Sequence, residues 1–106
     1  MKKIYVTVKN EKGEDIPSED SISFLVYVIE FPQIGDKIII DEMYEEESIY
    51  AEDDQAIWLY EFCKREFDCG KSSGFEFEVI NRTIFRCYKE SWVYIEVQYK
   101  PYNRNN

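Results

Sequence analysis

The sequence predicts one small α+β domain: a mostly antiparallel five-stranded sheet curled into a partly open barrel, with one amphipathic helix inserted before the last hairpin. Three observations predict it. Several segments alternate apolar and polar residues with a period of two, the pattern of strands that bury one face. One segment repeats its apolar residues at helical spacing instead. Aromatic residues make up 17% of the chain, with nine Tyr and seven Phe, and such side chains suit a half-buried pleated surface. At 106 residues the chain is a single domain, 1–106, large enough to bury a core without metals or disulfides.

The elements follow in order. Ile4, Val6 and Val8 alternate with Tyr5, Thr7 and Lys9, giving a first strand with one apolar face. A polar loop comes next, with Gly13 available for a positive φ and Pro17 and Ser18 beyond it. Ser21 to Phe31 is the most apolar run: Ile22, Phe24, Val26 and Val28 share one face, and Leu25, Tyr27, Ile29 and Phe31 the other. A strand apolar on both faces belongs in the middle of a sheet or inside a closed barrel. Pro32, which lacks a donor, and Gly35, which can turn where a Cβ would clash, break that run before a strand at 37–41.

Residues 53–67 read as the helix. Asp53 or Asp54 can cap its first turn. Ala56, Leu59, Tyr60, Cys63 and Phe67 form its buried stripe, and Lys64 and Arg65 suit the negative end of its dipole. Gly70 ends it. Phe75, Phe77 and Val79 then alternate with Glu76, Glu78 and Ile80 in an amphipathic strand. Asn81-Arg82 marks a bulge or bend, and the strand resumes over 83–88. Lys89-Glu90-Ser91 is a short hairpin loop, and 92–100 returns with Val93, Ile95, Val97 and Tyr99 on one face. The five-residue Pro32-Gln33-Ile34-Gly35-Asp36 entry to a strand resembles the turns of SH3-like small barrels. That resemblance implies an SH3-like or partly open barrel.

Charge is distributed unevenly. The formal net charge is -9, yet residues 41–54 alone hold eight carboxylates and no Lys or Arg. The rest of the chain, with 14 acids and 13 bases, is nearly neutral. Met43, Tyr44, Ile49 and Tyr50 interrupt the acids, so the run has side chains with which to hold a surface. A smaller feature of opposite sign lies over 79–106, with five bases and two acids. There Arg82, Arg86 and Tyr88 can share a strand face. Such Arg residues most often pair with the protein's own acids, here Glu76, Glu78 or Glu96; they could also join copies head to tail.

Enzyme signals fail on spacing and composition. Gly70-Lys71-Ser72 has the ending of a P-loop, but Arg65 stands where the first Gly is required, and a helix precedes it where a strand is needed. The chain has no His, so Ser–His and Cys–His pairs are impossible. Cys63, Cys69 and Cys87 are odd in number and lack a CxxC pair, so free thiols are expected and a zinc site is not. The acidic run lacks the residue order and the Gly of an EF-hand loop. No cofactor, metal or catalytic residue is expected. The five-residue apolar stretch after Lys2-Lys3 is too short for a secretory signal, and no stretch approaches the length of a membrane span. By elimination the expected location is the cytoplasm.

What remains is a binding surface. Charge runs are commonly solvated faces that keep a protein soluble and blunt a strand edge. Confining nearly all the net charge to one segment favours a partner instead. Duplex DNA presents one charge per about 1.7 Å of axis, and its binders meet it with Lys and Arg. A compact protein with closely spaced carboxylates can occupy the same basic groove. In size and charge the chain resembles small acidic proteins that inhibit DNA- or RNA-handling enzymes, including phage-encoded antagonists of bacterial defence. The expected partner is therefore a basic, nucleic-acid-binding protein, without direct binding to nucleic acid or membrane. Asp41, Glu42, Glu45, Glu46, Glu47, Glu52, Asp53 and Asp54 would supply the charge, with Tyr44 and Tyr50 as aromatic anchors. The alternative is a structural or adaptor module that binds through an exposed strand edge. In both cases the chain has no enzymatic activity, and homo-oligomers are compatible with either.

Overall fold

The structure, a computed structural model, describes residues 2–16, 23–41, 52–67, 74–86 and 89–101. Five strands and one helix follow in the order β1 (Lys2–Lys9), β2 (Ser23–Val28), β3 (Lys37–Ile40), α1 (Ala56–Glu66), β4 (Phe75–Arg86) and β5 (Ser91–Tyr99). The strands form one sheet in the order β2-β1-β5-β4-β3, curled into a half-barrel. All neighbours are antiparallel except β1 and β5, which run parallel at the centre, with Ile4 opposite Val93 and Val8 opposite Val97.

Period two puts every second side chain on the concave face. Ile4, Val6 and Val8 of β1, Phe24 and Val26 of β2, Ile40 of β3, Phe75, Phe77 and Val79 of β4, and Val93, Ile95 and Val97 of β5 are all buried there. The helix closes this face with Ala56, Leu59, Tyr60, Phe62 and Cys63. Phe62 meets Phe24 with ring centroids 5.4 Å apart, and Tyr60 meets Phe75 edge-on at 6.2 Å. Each fully buried Phe contributes about 1.5–3 kcal/mol relative to exposure, so Phe75 and Phe77, at 1% and 0% exposure, are principal anchors.

The helix starts at Ala56, three residues later than its sequence pattern suggests. Asp54 still serves its N-terminus, accepting a hydrogen bond from the Ala56 N–H at 2.9 Å. Phe67 lies just past the end, extended, and stacks on Tyr99 at 4.2 Å. Gly35 turns the chain before β3 with φ +94°, where open space would admit a Cβ but the backbone conformation disfavours one.

One expectation is overturned. The doubly apolar run around β2 is not central; β2 is an edge strand. It is also shorter than its hydrophobicity suggests: Ile29 has left the strand and is 77% exposed. Leu25 on its convex face is nevertheless buried. The reason is local cover. Gln55, just ahead of α1, donates its backbone N–H to the Leu25 carbonyl at 2.7 Å and accepts the Leu25 N–H on its side-chain Oε1 at 2.8 Å. Gln55 thus covers the β2 edge at Leu25.

Candidate functional site

The acidic run connects the two edges of the half-barrel. At one end Asp41 follows Ile40 of edge strand β3, which is buried and paired with Phe75. At the other, Gln55 is bonded to edge strand β2. Four of the ten candidate residues, Asp41, Glu52, Asp53 and Asp54, are described; Glu42, Tyr44, Glu45, Glu46, Glu47 and Tyr50 lie outside the described residues. The four do not act alike. Glu52 is exposed. Asp53 accepts a hydrogen bond from the Tyr27 hydroxyl at 2.6 Å and faces Lys3 Nζ at 3.5 Å. The Tyr27 hydrogen bond, reinforced by Lys3, holds its carboxyl below the usual range, and the same bond pushes the Tyr27 hydroxyl up to about 12. Asp53 and Asp54 therefore also serve the fold, Asp53 as a clasp to Tyr27 and Asp54 as acceptor for the first helical N–H.

The convex face carries a feature that strand-by-strand reading missed. Register places Tyr27, Lys3, Trp92 and Phe85 in one row across four strands, with Leu25, Tyr5, Tyr94 and Thr83 in the next. Tyr5 stacks on Tyr94 at 4.8 Å, Phe85 stacks parallel to Trp92 at 6.2 Å, and Phe85 meets Tyr94 edge-on at 4.9 Å. These rings lie against one another, as a cross-strand ladder does. A shallow groove of about 460 Å³ borders them, lined by Lys3, Tyr5, Glu90, Ser91, Trp92 and Tyr94. It brings Lys3 and Ser91 to one place, with the Lys3 ammonium 3.5 Å from an Asp53 carboxylate oxygen. Among the described residues no three acids or cysteines converge to hold a metal.

β4 carries a second surface. A bulge lies between Val79 and Asn81 and reverses the alternation beyond it. Arg82 then pairs with Ile95, and Arg86 with Ser91, on the concave side, while Glu96 and Asn81 share the convex side. This corrects the expected pairing of Arg82 and Arg86 with Glu76, Glu78 or Glu96. The bulge puts those charges on opposite faces, and Glu76 is approached instead by Lys37 at 3.9 Å. Arg82 Nε is buried with no hydrogen-bond partner among the described residues. Tyr88, the third member of the expected face, lies outside the described residues.

Among the described residues, β4 also has an edge that no strand covers beyond the bulge. β3 pairs only with Phe75 to Glu78, and Gly35 and Asp36 extend that cover to Val79 through bonds of 2.8 and 2.9 Å. The Lys100 N–H bonds to the Glu76 carbonyl, which sets the alternation on β5. Thr83 and Phe85, opposite Tyr94 and Trp92, turn their peptide groups towards β5. Arg82, Ile84 and Arg86 turn theirs away. On that side the Arg82 N–H is taken by Asn81 Oδ1 at 2.9 Å, and no described strand pairs with the rest. Ile84 and Phe85 are 50% and 45% exposed.

No protein-family model, curated protein or solved structure matches this chain. Its sites are therefore read from its own geometry. The open edge had a sequence signal: the alternating run of β4 is far longer than that of β3, so one strand had to outlast its neighbour. Among the described residues no helix is long and apolar enough to cross a membrane.

Proposed function

We propose that this chain is a non-enzymatic interaction protein whose acidic segment, residues 41–54, engages a basic partner, and that the partner is a nucleic-acid-binding protein whose groove the segment blocks. The observation that carries this reading is charge segregation: eight carboxylates in one segment, attached to a nearly neutral domain. The tethering of both ends supports it. Asp41 adjoins the buried end of β3, and Asp53, Asp54 and Gln55 are bonded to Tyr27, Ala56 and Leu25. A tethered charged segment loses less conformational freedom on binding than a free tail.

Affinity capture tests it, with the wild type beside a variant carrying Gln or Asn at all eight acids. The expected result is a basic, nucleic-acid-handling protein retained only by the wild type and released as salt rises, because charge-driven contacts are screened. An identical catch with both proteins would reduce the segment to a solubility feature.

A second reading is favoured by a specific observation, the edge of β4 from Arg82 to Arg86, which no described strand covers. It describes an adaptor that binds by strand addition, with backbone hydrogen bonds that persist at high salt.

A further inference from the structure

The β4 edge from Arg82 to Arg86, which no described strand covers, has a chemical pattern as well as outward-facing backbone groups. Arg82, Ile84 and Arg86 follow one another on its concave face: cation, apolar, cation. Pairing this edge with the same edge of another copy would set Arg near Arg, and like charges across a strand pair are destabilising. The edge therefore selects an extended segment that reads acid, apolar, acid at every second position. The chain contains one. Glu42, Tyr44 and Glu46 have that order and spacing.

We propose that the β4 edge takes up residues 42–46 of a second copy as an added antiparallel strand. Glu42 lies against Arg86, Tyr44 against Ile84 and Glu46 against Arg82. An aromatic residue opposite a β-branched one and opposite charges face to face are the favourable cross-strand pairs. The same register sets Met43 beside the half-exposed Phe85 on the convex side. The buried Nε of Arg82, which has no partner among the described residues, gains a carboxylate nearby.

A chain cannot make this contact with itself. Ile40 pairs with Phe75, and Arg86, the proposed partner of Glu42, is eleven residues further along β4, roughly 35 Å away at about 3.3 Å per residue. Glu42 is two residues beyond Ile40, a reach of only about 7 Å. The contact is intermolecular and joins two different surfaces, so it propagates from copy to copy or closes by reciprocal exchange.

The inference rests on the strand-edge reading and names the occupant. Sedimentation velocity on the full chain tests it over a concentration series. The wild type is expected to associate at low ionic strength. Arg82→Glu with Arg86→Glu, and separately Glu42→Lys with Glu46→Lys, should each weaken association at least about tenfold. An equimolar mixture of the two variants should restore it, because the swapped charges are again opposite. A labelled synthetic peptide of residues 41–54 should bind the folded wild type, which keeps the test open if a variant fails to fold. A wild type that stays monomeric throughout, a mixture that does not associate, or a peptide that does not bind overturns the inference. If the edge captures another protein by strand addition while copies stay apart, self-pairing is overturned and the strand-edge reading stands. The Arg variant leaves the acidic segment intact, so it separates this contact from binding to a basic partner.

Discussion

Gln55 and Leu25 are bonded twice, once through the Gln55 backbone N–H and once through its side-chain oxygen. This double contact covers the outer edge of β2 at Leu25 and fixes where the chain returns from the acidic segment. Removing the Gln55 side chain leaves the Leu25 N–H, on a residue 8% exposed, without its acceptor. An orphaned buried donor costs about 1–3 kcal/mol. Gln55→Ala should lower stability by that amount in urea denaturation, with an unchanged m-value. An unaltered midpoint would mean that solvent already serves this edge.

Aromatic residues divide by face. Phe77 is fully buried between α1 and the sheet, and Phe77→Ala should cost about 3–5 kcal/mol through lost burial and a residual cavity. Phe85 is 45% exposed and held mainly by Trp92 and Tyr94. At about 0.5–1.5 kcal/mol per ring pair, Phe85→Ala should cost distinctly less. Equal losses for the two variants in the same denaturation series would contradict the division into core and ladder.

The Tyr27–Asp53 bond makes stability depend on pH at both extremes. The Asp53 pKa is lowered in the folded state. Its contribution is present above the ordinary carboxylate value, about 3.9, and is lost as pH falls through the depressed folded value. The Tyr27 pKa is raised to about 12, so its contribution is complete below about pH 10 and is lost as pH rises towards that higher value. Tyr27→Phe should flatten the stability profile in both windows. A profile unchanged at both ends would show that the bond does not persist in solution.

Cys63 is completely buried, and burial pushes its thiol up to about 12. It should resist iodoacetamide at pH 8 in the native protein and react once denaturant is added, because the thiolate is the nucleophile. Peptide mapping after a timed pulse distinguishes it from the other two cysteines. Rapid native labelling at Cys63 would place α1 elsewhere than on the concave face.

Much of this protein was legible in the sequence because its information is periodic. Alternation in 4–8, 75–79 and 93–97 names the concave face residue by residue, and helical spacing in 56–63 names the face of α1. Phe62 joins that face unannounced, because a stripe wide enough to cover a curved sheet takes in a neighbouring column. The acidic segment was equally plain, since charge counts need no coordinates.

Neighbours across the sheet were decided only by the fold. Hydrophobicity places β2 in the middle of a sheet or inside a closed barrel, whereas the parallel pairing of β1 with β5 takes the centre and leaves β2 at an edge that Gln55 covers at Leu25. Arg82 and Arg86 were matched to Glu76, Glu78 and Glu96, but the bulge after Val79 sends them to the other face. The physical reason is the same in both cases. Periodicity is a property of one strand, set by its own backbone geometry. Register, edge and bulge are properties of two strands, and only tertiary packing settles them.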